Sequence, residues 1–251
     1  MLSDDQLLRY SKQIMLGDID VQGQEALVAG KVLIIGLGGL GSPVAMYLAA
    51  AGVGSLVLVD DDQVEISNLQ RQIIHDEASI GAAKVDSAKQ RLMSINSALD
   101  VTVINARLDA DALHQLILKV DCVVDCTDNF KSRFDINRSA IQARVPLVSG
   151  AAIRMEGHLL TIDSRLTASP CYQCLYPDAG SDELSCANSG VLAPLVGVIG
   201  SMQAIEVIKV LTGVGETLVG RLQIFDAKSM QWRTMKLNVD PQCPVCANRQ
   251  C

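Results

Sequence analysis

A short apolar run rich in branched side chains, Lys31 to Gly36 (KVLIIG), passes directly into Gly36-Leu37-Gly38-Gly39-Leu40-Gly41, and small residues follow from Pro43 to Ala51. Few folds accommodate that order. The run has the pattern of a strand covered on both faces. A G-x-G-x-x-G turn between such a strand and a helix lets backbone N–H groups approach phosphates at the positive helix end. A second strand, Ser55 to Asp60, ends in a carboxylate close to the spacing at which an acidic residue takes ribose hydroxyls. Taken alone, the loop suits NAD at least as well as ATP.

The alternation continues along the chain. Ser3-Asp4-Asp5-Gln6 before Leu7, Leu8 and Ile14 reads as a capped N-terminal helix. From Ala82, the apolar residues Val85, Ala88, Leu92 and Ile95 recur at helical spacing. Val101 to Ile104 reads as a strand, Ala110 to Leu118 as a helix and Cys122 to Val124 as a strand; after a further helical stretch, another strand begins at Pro146 to Val148. Strands alternating with helices predict an α/β fold, a Rossmann-like, doubly wound and mostly parallel sheet. Beyond Ala151 the pattern changes: Gly157 to Ile162, Leu222 to Phe225 and Trp232 to Leu237 read as strands without crossover helices, flanking a long helix from Val191 to Leu211. This predicts an antiparallel C-terminal extension within one domain spanning 1–251.

Several polar residues fall where the ends of these strands converge. Ser67-Asn68-Leu69-Gln70-Arg71-Gln72 follows the second strand, Lys84 opens a helix, and Asp128-Asn129 follows the strand ending at Val124-Asp125. In a doubly wound sheet such strand ends meet at one crevice. Arg71 and Lys84 there can neutralise a triphosphate while Asp128 holds magnesium through oxygen, more charge than the diphosphate of NAD needs. Each residue has a plainer reading, as a solvated surface charge or, for Asp128, as the cap of the next helix. Their joint occurrence favours the nucleotide.

Cys171-x-x-Cys174 and Cys243-x-x-Cys246 are two short pairs, the ligand set of a closed, tetrahedral, four-cysteine zinc site with a structural role. A redox C-x-x-C and an iron–sulfur site are the alternatives. Cys122 and Cys126 read as buried packing residues, and Cys251 is terminal. Cys186 lies in the polar, small-residue stretch 180–188, a loop in which it is either a reactive thiol or inert.

Composition removes other classes. A net charge of -7 with pI near 4.9 argues against nucleic acid or an anionic membrane as partner. Met1-Leu2-Ser3-Asp4-Asp5 lacks a basic n-region, which points to a cytoplasmic protein. Val191 to Ile205 carries no charge but contains Pro194, Gly197 and Gly200; it is shorter than a bilayer requires and reads as a buried helix.

Together the motifs resemble the MoeB/ThiF family, bacterial relatives of ubiquitin-activating enzymes. The resemblance rests on RYSKQI at Arg9, GLGGLG at Gly36, SNLQRQ at Ser67, CTDN at Cys126, SGAAIR at Ser149 and both cysteine pairs. It implies ATP-dependent adenylation of the C-terminal glycine carboxylate of a small ubiquitin-like sulfur carrier, by a homodimer that binds MgATP and the carrier's Gly-Gly tail. By the resemblance Gly36, Gly38, Gly39, Gly41, Asp60 and Asp62 belong to the nucleotide site, with Asp60 on the ribose. Asn68, Arg71 and Lys84 would face the phosphates and Asp128 the magnesium, with Ser67 and Asn129 also belonging to the nucleotide site. Lys12 stands where relatives carry an arginine that reaches the partner subunit's site, keeping the charge but not the bidentate fork. Cys186 matches a loop cysteine that some relatives use for a thioester or persulfide. No rhodanese-like domain follows, so a separate sulfurtransferase or cysteine desulfurase is expected to supply sulfur. Ser149 to His158 resembles the molybdopterin branch and Phe225 to Arg233 the thiamine branch. An NAD-dependent oxidoreductase and a non-catalytic carrier-binding adaptor are the readings from other classes.

Overall fold

The structure, a computed structural model, describes residues 1–177 and 189–247. The chain begins with three helices, α1 (Asp4–Arg9), α2 (Ser11–Ile14) and α3 (Asp20–Ala29). Alternation follows through β1 (Lys31–Ile35), α4 (Gly41–Ala51), β2 (Ser55–Val59), α5 (Lys84–Ile95), β3 (Asp100–Ile104), α6 (Ala110–Ile117), β4 (Cys122–Asp125), α7 (Phe130–Ala143) and β5 (Leu147–Ile153). The remainder comprises β6 (Glu156–Ile162), α8 (Tyr172–Leu175), α9 (Ala193–Thr212), β7 (Arg221–Asp226) and β8 (Gln231–Lys236).

Among the described residues, eight strands form one sheet in the order β3-β2-β1-β4-β5-β6-β7-β8. Pairing is parallel from β3 to β5 and antiparallel from β5 to β8. Strand order reverses between β1 and β4, so the crevice of a doubly wound sheet opens beyond their carboxyl ends. Val32, Leu33 and Ile34 of β1 are all 0% exposed. Their side chains alternate between two core layers: Val32 and Ile34 pack with residues of α4, α5 and α9, Leu33 with residues of α6 and α7.

Local chemistry sets the helix ends that matter for the crevice. The Asn129 side chain accepts from the Ser132 N–H at 2.9 Å and starts α7, so the helix cap is Asn129 and not Asp128. Helix α9 has proline in its first turn and ends at Gly213, φ 72°. By length and composition α9 could cross a membrane, but Leu195, Val196, Ile199, Gln203 and Val207 are buried and it packs on β5, β6 and α4, as expected for a core helix.

Two expectations are corrected. The N-terminal segment is broken at Tyr10, whose buried hydroxyl accepts from the Asn96 amide at 3.0 Å; turning the chain there lets the ring enter the core. The long helix starts at Ala193, because Val191 is tied in a bridge to Arg154 at the β5–β6 turn.

Candidate functional site

The crevice holds a cleft of about 350 Å³ lined by Gly36, Gly38, Asp60, Asp62, Lys84, Thr127, Asp128 and Asn129. A narrower cavity of about 80 Å³ shares Cys126, Thr127 and Asp128 with it and adds Gly39, Arg71, Arg133, Ala152 and Val196. Residues from four strand ends and from α9 thus meet around Asp128.

Asp60 organises the first cleft. Its carboxylate accepts the Leu37 N–H at 2.6 Å and the Asp62 N–H at 2.9 Å, which ties the glycine loop to the end of β2. Burial pushes its pKa up, against the pull of those two hydrogen bonds and of Lys84. The Lys84 amine lies 2.7 Å from the Asp62 carboxylate; its side chain is 7% exposed and that of Asp62 66%. A buried ammonium with one exposed carboxylate keeps donors for an anion entering the cleft.

Arg71 is half-buried, and its guanidinium donates to the Ser67 carbonyl at 3.1 Å. Asn68 accepts from the Glu65 N–H at 3.2 Å, and Ser67 donates to the Glu65 carboxylate at 3.1 Å. Ser67 and Asn68 therefore shape the turn that presents Arg71; neither lines the two cavities. Gly41 lies behind the loop as the first residue of α4.

The segment after β4 separates two acidic roles. Asp125 is buried; it accepts from the Thr127 hydroxyl at 2.7 Å, the Thr127 N–H at 3.0 Å and the Ser149 hydroxyl at 2.8 Å. The Gln203 amide of α9 donates to the Asp125 carbonyl at 2.9 Å. Asp128 instead stands exposed at the junction of both cavities, with no side-chain hydrogen bond among the described residues. One aspartate builds the loop and the other is available to a ligand.

Arg133 was not legible in the sequence. It lies one turn inside α7, is buried, and donates to the Thr127 carbonyl beside Arg71 in the narrow cavity. The spacing Asn129-x-x-x-Arg133 places both on one helix face, the single available signal. Lys12 is exposed on α2 and lies outside both cavities. Cys186 and Cys251 fall outside the described residues. Cys122 and Cys126 are buried, as expected, and burial pushes both thiols up.

The cysteine pairs do meet. Sulfur separations are 3.9 Å for Cys171–Cys174, 3.6 Å for Cys171–Cys243 and 3.4 Å for Cys174–Cys246, and all four ligand atoms lie within 4.8 Å of one another. A tetrahedron with zinc–sulfur bonds of about 2.3 Å has an edge of about 3.8 Å, so the donor set fits zinc. The Asp240 N–H points at the Cys174 sulfur at 3.5 Å, a backbone donor suited to a thiolate. Phe130 and Phe134 of α7 pack against Tyr172 and Tyr176, which flank Cys174, with ring centroids of the contacting pairs 4.9 to 6.2 Å apart. Aromatic residues are only 3% of the chain, so their concentration here makes the cysteine cluster the buttress of the helix that follows Asp128.

A model of the ThiF family matches residues 10–245. The chain is 50% identical over 245 residues to molybdopterin-synthase adenylyltransferase of Escherichia coli (strain K12), covering 98% of each chain. It is 44% identical over 245 residues to sulfur carrier protein ThiS adenylyltransferase of the same organism, covering 98% of this chain and 97% of that one. Among solved structures, E. coli MccB with MccA-N7isoASN superposes with a TM-score of 0.85 at 25% identity, covering 98% of this chain and 76% of that one. A family match spanning residues 10–245, with relatives 50% and 44% identical over nearly the whole length, leaves one assignment: the chain belongs to the ThiF family.

Proposed function

We propose that this chain is an adenylyltransferase that uses ATP to activate the C-terminal glycine carboxylate of a ubiquitin-like sulfur carrier, releasing pyrophosphate. The observation that carries the reading is the junction at Asp128, where a nucleotide-sized cleft opens into a cavity of about 80 Å³ bearing Arg71 and Arg133. A cavity that small has room for the side-chain-free end of a glycine tail. The carrier of molybdopterin synthase is the preferred substrate, supported by the 50% identical relative; the thiamine carrier is second, supported by the 44% identical one.

The chemistry asks little of a general base. A C-terminal carboxylic acid ionises near pKa 3.5, so the nucleophile is already an anion at neutral pH. What it needs is charge neutralisation and alignment with the α-phosphate. Arg71 and Arg133 would supply positive charge in the smaller cavity and Lys84 in the larger cleft, and Asp60 at the end of β2 would meet the ribose. Asp128, beside Asn129, would hold magnesium, which neutralises phosphate charge when bound. Lys12, exposed and outside both cavities of this chain, fits a role in the site of a second copy. The exposed Val198 and Ile205 of α9 and Tyr47 of α4 are apolar residues that a homodimer would cover.

ATP–pyrophosphate exchange tests the reading. With purified carriers of both types, exchange should appear only when the carrier ends in its intact glycine tail, and the faster carrier names the pathway. ATP binding without exchange on either carrier would favour the adaptor reading.

Zinc in the cysteine cluster would fasten α8 and, through the aromatic stack, α7. Cys174→Ser is therefore expected to lower the Tm by roughly 10 °C, as a lost buried metal tether of several kcal/mol does in a chain of this size. Differential scanning calorimetry with zinc content measured in parallel checks it. Unchanged melting in a zinc-depleted variant would remove the buttress role.

A further inference from the structure

His75 has no part in the adenylation reading, yet it is 6% exposed and reaches the glycine loop. Its Nε2 lies 3.1 Å from the Leu37 carbonyl oxygen and its Nδ1 2.9 Å from the Ser87 hydroxyl. A carbonyl oxygen only accepts, so Nε2 carries the proton and Nδ1 accepts from Ser87. The neutral ring satisfies both bonds in a single tautomer.

The placement matters because of what else holds Leu37. Its N–H donates to Asp60 at 2.6 Å, and its side chain is 0% exposed. Both polar groups of the residue between Gly36 and Gly38 are thus tied down, one to the end of β2 and one to the segment that follows Arg71. Fixing those two peptide planes fixes where the following N–H groups of the loop point. Ser87 lies in the first turn of α5, which opens with Lys84. His75 therefore bonds to the glycine loop and to the lysine helix at once, four residues after Arg71 in the chain.

We propose that His75 is a positioning residue of the nucleotide site: it holds the glycine loop through the Leu37 carbonyl and couples that loop to the Lys84 helix through Ser87. The proposal rests on the reading of the cleft as an ATP site. Burial lowers the pKa of His75, opposed by its bond to Leu37; Lys84 lowers it further, while Asp60 and Asp76 raise it. The ring is thus harder to protonate when folded than when unfolded. Its contribution to stability is complete above the ordinary histidine value of about 6.5 and is lost as pH falls towards the depressed folded value.

Three variants test it. His75→Phe fills the volume without a donor, His75→Gln keeps an N–H at the same reach, and Ser87→Ala removes the hydrogen bond to Nδ1 that links the ring to α5. His75→Phe is expected to raise the Kd for ATP about tenfold or more, the effect of leaving a buried carbonyl unpaired at the loop. His75→Gln should restore affinity to within about threefold, and Ser87→Ala should weaken it about threefold. In exchange assays the KM for ATP should rise while the KM for the carrier stays constant. Spectra of ¹⁵N-labelled histidine should show one ring in the Nε2–H form that takes up its second proton at lower pH than an ordinary histidine, absent from His75→Phe. Wild-type ATP affinity in His75→Phe overturns the proposal, as does affinity that follows melting temperature alone across the variants or a ring with its proton on Nδ1. A wild-type chain that binds no ATP overturns the nucleotide reading itself, an outcome distinct from these.

Discussion

Asp128→Ala is expected to abolish carrier-dependent ATP–pyrophosphate exchange, a loss of at least about 10³-fold, while the melting temperature stays within about 2 °C of wild type. The asymmetry follows from contacts. The Asp128 carboxylate makes no side-chain hydrogen bond among the described residues and is exposed, so its removal costs the fold little. It nevertheless lines both cavities, where it would hold the magnesium of the nucleotide. Arg71→Ala should behave alike, since its guanidinium bonds to the Ser67 carbonyl on its own turn and water can replace it there. Asp125→Ala is the contrasting case: it strips three hydrogen bonds from a buried loop, so lost activity would come with a lower melting temperature. Calorimetry beside exchange kinetics separates the two. Near wild-type exchange in Asp128→Ala would sink the assignment of the magnesium carboxylate.

The sequence distinguishes such roles unevenly, for physical reasons. The parallel half of the sheet is legible because its strands are covered on both faces and read as unbroken apolar runs, β1 above all. Helix α3 is not, since it buries Gly23, Gln24 and Leu27, and a glycine and a glutamine on the inner face erase the helical period. In the site, Lys84 stands out because it opens α5 and Asp128 because it lies between β4 and α7, whereas Arg71 stands out through the polar run Ser67 to Gln72 that follows β2. The chemistry of Asp125 and Asp128 is identical on paper; only burial shows that one is scaffold and the other available. Arg133 and His75 have no motif of their own. Each gains its role from a carbonyl brought close by the fold, that of Thr127 for Arg133 and that of Leu37 for His75. The cysteine pairs were legible as a set, but their contact with α7 was not, because the aromatic stack joins residues roughly 40 positions apart that share no pattern.

The glycine loop gives the second large effect, and its glycines are unequal although the motif writes them alike. A Cβ at Gly41 would overlap the carbonyl oxygen of Gly36, a backbone atom that cannot swing aside. Gly36 is itself constrained: its φ is +91°, its N–H donates to the Val59 carbonyl at 2.9 Å, and a Cβ there would lie 2.9 Å from the Cys126 carbonyl oxygen. Accommodating Gly41→Ala therefore means parting α4 from the end of β1, and with it the loop that faces the cleft. The expected cost exceeds about 4 kcal/mol, or roughly 10 °C of melting temperature, with ATP binding lost. Gly38→Ala should differ sharply. Its Cβ would meet the Gln72 side-chain nitrogen at 3.6 Å, an ordinary contact, and its backbone is not left-handed. A cost within about 1 kcal/mol follows. Thermal denaturation and ATP titration of the pair decide the matter: equal destabilisation would mean that the loop is loose enough to absorb a methyl anywhere, whereas the predicted split would show that the tight turn between Gly36 and Gly41, rather than glycine content, shapes the site.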